Sequence, residues 1–238
     1  MLEPYSDDPG NTGLLFHTQE EMNRMVLKTM SNGFQTNIHA IGDAANRQVL
    51  NAFENAKDSL GEQGLRNRVE HAQIVSQQDI PRFNELNVIA SMQPTHATSD
   101  MNMAEDRVGP ERIKGGYAWK TFVNQGTTVA SGSDFPVEHV NPFYGLYSAV
   151  TRQDHQGNPE DGWYPSESLS REQALRSFTL DAAYAAHQED MLGSLEPGKW
   201  ADFIIIDRNY FEIPEIEIWQ TKVLETWRGG EKVYSADD

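Results

Sequence analysis

Three short segments constrain this chain most: Thr36-Asn-Ile-His-Ala-Ile-Gly-Asp43, Arg68-Val-Glu-His-Ala72 and Val129-Ala-Ser-Gly-Ser-Asp-Phe-Pro136. Each is an apolar run that ends in a side chain able to bind metal, followed by loop residues. That pattern predicts a buried strand whose C-terminal tip presents His39, His71 or Asp134. His39 and His71 are 71 − 39 = 32 positions apart, and His71 and Asp134 are 134 − 71 = 63 apart. A (β/α)₈ barrel of about 250 residues spends roughly 30 residues on each β/α unit. The candidates therefore fall one unit and then two units apart, all at one end of successive parallel strands. Barrels of this type build their active sites at that end.

Elsewhere the chain alternates helix and strand signals, which predicts a parallel α/β fold. Thr18-x-x-Glu21 is a capping box, and Met22, Met25, Val26 and Met30 follow at helical spacing up to a stop at Gly33. A second helix spans 44–60 and a short one begins at Ser76-x-x-Asp79. Residues 88–92 and 127–131 read as further strands, with an irregular stretch over 93–110 and a helix over 117–124. Beyond Asp134 come a helix over 142–152, an exposed loop over 153–168, and a helix capped by Ser170-x-x-Gln173 that breaks near 179–181. Phe203-Ile-Ile-Ile206 is a strand, and Arg228-Gly-Gly230 is flanked as a hairpin. Only four βα units are visible, so two strand edges of a half barrel would stand unpaired.

Six motifs carry a resemblance: His39-Ala-Ile-Gly-Asp43, Glu70-His71-Ala72, Met92-Gln-Pro-Thr-His96, Ser131-Gly-Ser-Asp-Phe-Pro136, Ala149-Val-Thr-Arg152 and Gly198-Lys-Trp-Ala-Asp202. Together, in this order, they resemble the C-terminal part of metal-dependent amidohydrolases of family 3, the branch that includes N-substituted formamide deformylases. The resemblance implies the C-terminal half of a TIM-type barrel over 1–190 and strands of a small β-sandwich over 191–238. It also implies hydrolysis of amide-type C–N bonds in a small-molecule substrate. Such enzymes carry a His-x-His pair on the first barrel strand. No two of the seven histidines here are separated by one residue. The expectation is a homo-oligomer, or assembly with the N-terminal half that the family's pattern adds. A non-catalytic remnant that folds by association is the alternative, and a barrel hydrolase of cyclic amides or esters is a third.

His39 and His71 offer neutral nitrogen donors suited to zinc or another borderline divalent ion. Asp134 is expected to bind the same ion and to act as base toward its water, later passing the proton to the leaving nitrogen. Asp43, four positions after His39, either orients that histidine or caps the next helix. Strand alternation points Glu70 away from His71, toward the helical layer. His96 and Asp100 either line the substrate pocket, or contact a leaving group, or serve loop hydrogen bonding; Arg107 and Arg112 are expected in surface salt bridges, with pairing to a substrate carboxylate as the alternative.

A net charge of −17 argues against nucleic-acid or anionic-membrane partners, whose phosphates are neutralised by Lys and Arg. No run of about 18 apolar residues is present and the first residues lack signal-peptide character, so a cytoplasmic parent is favoured over a periplasmic or secreted one. With no cysteine, thiolate metal sites and Cys nucleophiles are excluded.

Overall fold

A computed structural model describes residues 1–237. The helices are α1 (Gln19–Ser31), α2 (Asp43–Leu60), α3 (Ile80–Glu85), α4 (Pro94–Asp100), α5 (Ala104–Arg112), α6 (Trp119–Asn124), α7 (Pro142–Thr151), α8 (Arg171–Phe178) and α9 (Leu180–Ala185). The strands are β1 (Asn37–Ala40), β2 (Arg68–His71), β3 (Ile89–Met92), β4 (Val129–Ser131), β5 (Phe203–Ile206), β6 (Val223–Arg228) and β7 (Glu231–Ser235). The fold is α/β, with a parallel sheet of order β1-β2-β3-β4 and a separate three-stranded sheet of order β5-β6-β7. The chain forms two compact units, Met1–Met92 with Asp100–Val129, and Gln93–Ser99 with Ala130–Asp238.

In the first unit, α1 opens as its sequence dictates. The Thr18 hydroxyl accepts from the Glu21 amide at 3.2 Å, while Glu21 Oε2 accepts from the Thr18 amide at 2.9 Å. The helix buries Met22, Val26 and Met30, and α2 buries Val49, Leu50, Ala52, Phe53 and Ala56. Burying an apolar side chain of this kind is worth about 1.5–3 kcal/mol, which anchors both helices far more firmly than their caps do. β1 pairs with β2 in parallel, Ile38 opposite Val69, and β2 pairs with β3, Val69 opposite Ala90. The β4 segment enters beside β3, where the Ala90 amide donates to the Thr128 carbonyl at 3.0 Å. Phe83 of α3 and Phe122 of α6 meet edge to face at 4.9 Å, both fully buried.

In the second unit, Pro142 occupies the first turn of α7 and Asn141 caps it through the Phe143 amide at 3.0 Å. α8 carries the expected capping box at Ser170 and Gln173. The break between α8 and α9 falls at Thr179, as the sequence predicts. β5 and β6, and then β6 and β7, pair antiparallel.

The stretch 93–110 is not irregular. It holds α4 and most of α5. Pro94 is tolerated because it begins α4, where its missing N–H has no helical partner to lose. α5 is interrupted at Gly109, whose φ of 79° lies in the left-handed region. No helix among the described residues is long and apolar enough to cross a membrane.

Candidate active site

His39 lies next to the end of β1, and His71 is the last residue of β2. Their rings meet edge to face, centroids 4.3 Å apart. The register alone does not bring them together, because His39 stands opposite Glu70 and His71 opposite Ala40. Registered residues of parallel strands share a face, so Glu70 lies on the His39 side of the sheet. The expectation that Glu70 faces the helical layer is thus corrected: Val69, fully buried, takes that side, and Glu70 pairs with Arg68 at 2.5 Å. The cause is local. His71 and Ala72 adopt φ of 78° and 44°, and these left-handed residues break the two-residue alternation at the strand tip. Holding non-glycine residues there costs on the order of 1–3 kcal/mol each, and such strain collects at functional sites.

The surroundings hold this exit in place. The Tyr117 amide donates to the Gln73 carbonyl at 2.7 Å and the Val75 amide to the Gly115 carbonyl at 2.8 Å, with Ile74 bridged to Gly116 between them. Fully buried Asn46 donates from its side-chain amide to the carbonyls of Ala40, Ile41, Gly42 and Ile74 at 3.0–3.3 Å, tying the end of β1 to the segment after His71. Sequence reasoning missed Asn46; its position one turn after Asp43 in α2 was the available signal.

Asp43 is the first residue of α2, behind the N-cap Gly42. Its Oδ1 accepts from the amides of Ala44 at 2.8 Å and Leu2 at 2.7 Å, and no hydrogen bond joins it to His39 among the described residues. Asp100 accepts from the Tyr117 hydroxyl at 2.7 Å and from Gln73 Nε2 at 3.0 Å. Gln73 and Tyr117 were also missed, though Gln73 follows His71 by two positions. Both line a cavity of about 770 Å³ within the first unit, together with His39 and apolar groups such as Leu15, Phe16, Ile38 and Ile41. Arg107 pairs with Asp7 at 2.8 Å, and that hydrogen bond raises the guanidinium pKa. Arg112 donates to the Glu3 carbonyl and the Ser6 hydroxyl, so among the described residues Arg107 alone of the two forms the expected salt bridge.

In the second unit, His96 is buried on α4, and Asp134 is exposed in the turn after β4. Asp134 has φ of 55°, and its carbonyl accepts from the Val137 amide at 2.8 Å. The His39–His71 pair suits part of a divalent ion's donor set: two imidazoles, in contact, at the C-terminal tips of neighbouring strands. Among the described residues no group of three or more His, Cys, Asp or Glu side chains is placed to hold an ion.

The sequence profile of the amidohydrolase family matches residues 1–234. The protein LONG AFTER FAR-RED 3 of Arabidopsis thaliana is 36% identical over 235 residues, covering 98% of this chain and 40% of the relative. The putative amidohydrolase YtcJ of Bacillus subtilis (strain 168) is 32% identical over 234 residues, 98% of this chain and 44% of the relative. An N-substituted formamide deformylase of Arthrobacter pascens is 25% identical over 225 residues, 92% of this chain and 40% of the relative. Among solved structures, an uncharacterized metal-dependent hydrolase from Pyrococcus horikoshii OT3 superposes with a TM-score of 0.77 at 33% identity, over 90% of this chain and 42% of that one. The chain thus spans less than half the length of each of these relatives.

Proposed function

We infer that this chain, which belongs to the amidohydrolase family, carries one side of the active site of a metal-dependent hydrolase of amide-type C–N bonds. The observation that carries this reading is the contact of His39 and His71 at the tips of adjacent parallel strands. His39 and His71 would hold a divalent ion, zinc first among the candidates, through neutral ring nitrogens. When bound, such an ion lowers the pKa of its water to about 7 and polarises the scissile carbonyl. Asp134 takes one proton from the attacking water as its oxygen bonds to the carbonyl carbon. It then delivers that proton to the nitrogen as the C–N bond breaks, so protons balance over the cycle. The cavity beside His39, apolar apart from Gln73, Tyr117 and a few other polar groups, favours a neutral substrate with an apolar substituent.

Two donors leave an ion open to water, so the chain alone should bind zinc weakly. Calorimetric titration with Zn²⁺ should give weak binding that His71→Ala abolishes. Binding that survives His71→Ala unchanged would remove the histidine pair from the site. Turnover belongs to the full set of walls, and the reading is tested by hydrolysis of simple N-substituted amides when this chain is joined, in cis or in trans, to the remainder of the family's length.

The same reading includes a partner. Among the described residues β1 is an edge strand hydrogen-bonded to β2, and exposed Leu14, Leu15 and Phe16 line the same cavity as its residues. Unpaired backbone groups beside apolar side chains form a template for a further strand. The isolated chain should therefore self-associate, or bind the rest of the barrel when that is supplied. Light scattering checks this, and a stable monomer at high concentration with cooperative unfolding would count against it.

A further inference from the structure

The second unit contains a run of aromatic rings that the proposed chemistry does not use. The His139 ring lies 4.7 Å from that of Tyr144 on α7, tilted by 31°. Tyr144 meets His155 edge to face at 4.5 Å. His155 in turn stacks on Trp219 at 4.3 Å, with only 6° between the planes. Four rings from four chain segments thus form one continuous ladder: the loop after β4, helix α7, the loop 153–158 and the 3₁₀ turn Glu215–Gln220.

The first ring belongs to the loop that bears Asp134. This loop is short of other anchors. Among the described residues it has the Val137 amide on the Asp134 carbonyl, the Phe135 amide on the Ser133 hydroxyl at 3.3 Å, a 2.6 Å hydrogen bond from the Ser99 hydroxyl to Glu138, and the Asn141 amide on His139 Nδ1 at 3.1 Å. Phe135, Val137 and Val140 point to solvent and contribute little packing. An acceptor Nδ1 places the proton of the neutral His139 ring on Nε2. The far side of the ladder is well tied down. Asp154 accepts from the amides of Gln156 at 2.9 Å and Asn158 at 2.8 Å, and the Tyr147 hydroxyl donates to the Asp154 carbonyl at 2.8 Å.

We propose that the ladder His139–Tyr144–His155–Trp219 is a positioning device that fixes the loop bearing Asp134, with His139 as its positioning residue. Its importance for turnover rests on the role given to Asp134 above; its geometry does not. An aromatic pair contributes about 0.5–1.5 kcal/mol beyond its buried area, enough to shift a loop's opening equilibrium by a factor of a few. The charged and titratable groups acting on His155 come from three segments: its own loop, the loop after β4 and α7. Asp154, on its own loop, favours the charged ring, and His139 disfavours it. Tyr144 and Tyr147 face it from α7, and Trp219 covers it from the 3₁₀ turn. Burial dominates and holds the His155 pKa below its ordinary value of 6.5.

The test reads positions and spectra, not turnover, so it is independent of the amidohydrolase reading. Hydrogen exchange at residues 135–141 should speed up by roughly two- to tenfold in His139→Ala, the range one aromatic pair is worth. His139→Phe, which keeps a ring, should restore slow exchange. Emission from Trp219, isolated as wild type minus Trp219→Phe, should fall as pH drops through a midpoint below 6.5, because a protonated imidazole stacked on indole quenches it. His139→Ala should move that midpoint upward. Either readout standing still in His139→Ala overturns the proposal. Should that variant fail to fold, Trp219→Leu, at the other end of the ladder, carries the exchange measurement. Unchanged exchange at residues 135–141 there overturns it equally.

Discussion

Asp134→Asn should lower kcat by about 10²- to 10⁴-fold, the usual worth of general acid–base catalysis, in an enzyme that joins this chain to the remainder of the family's barrel. The substitution is nearly isosteric, but an amide cannot accept the proton of the attacking water or return it to the leaving nitrogen. The fold should survive, for two reasons. Asp134 is exposed, and the Val137 amide donates to its main-chain carbonyl, which asparagine keeps. Its φ of 55° is a left-handed conformation that Asn accepts as readily as Asp. His71→Ala should fail differently, by losing bound metal. Measuring kcat and metal content for both variants separates the roles. Near-normal kcat in Asp134→Asn would leave this residue as a turn former only.

The strand tips that present His39 and His71 were legible in the sequence because two signals coincide there. An apolar run sets the strand, and a single polar residue after it sets the tip. That spacing places His39 and His71 at neighbouring tips, while their ring contact also needs the left-handed backbone at 71 and 72. The facing of Glu70 was not legible, because alternation assumes extended backbone and the left-handed φ of His71 violates it. The capping boxes at Thr18 and Ser170 were readable because the hydroxyl and the acid or amide three residues later satisfy each other locally. The helices α4 and α5 were missed where Pro94, Gly109 and Pro110 outweighed helical signals that the structure satisfies around them. Asp43 shows a limit of another kind. Its two readings used the same side chain, and the structure puts Gly42 at the N-cap while Asp43 Oδ1, one position inside the helix, holds the Leu2 and Ala44 amides.

Gly115→Ala should destabilise the first unit by about 1–3 kcal/mol or more, as overpacking of a tight interior does. Gly115 is buried where its carbonyl accepts from the Val75 amide, and a Cβ there would press into the Val75 carbonyl oxygen. That oxygen is backbone, with no flexible side chain to give way, so the strand-like clamp between 73–75 and 115–117 must open. The clamp holds the segment leaving His71, so the variant should also weaken zinc binding. A surface effect would not do that. Gly132→Ala is the control: no atom lies within 4 Å of its Cβ and its φ is not left-handed, so its stability should stay within about 0.5 kcal/mol of wild type. Urea unfolding reads both through the midpoint at constant slope. If Gly115→Ala unfolds at the same urea concentration as Gly132→Ala, the clamp yields without cost and does not hold the His71 tip.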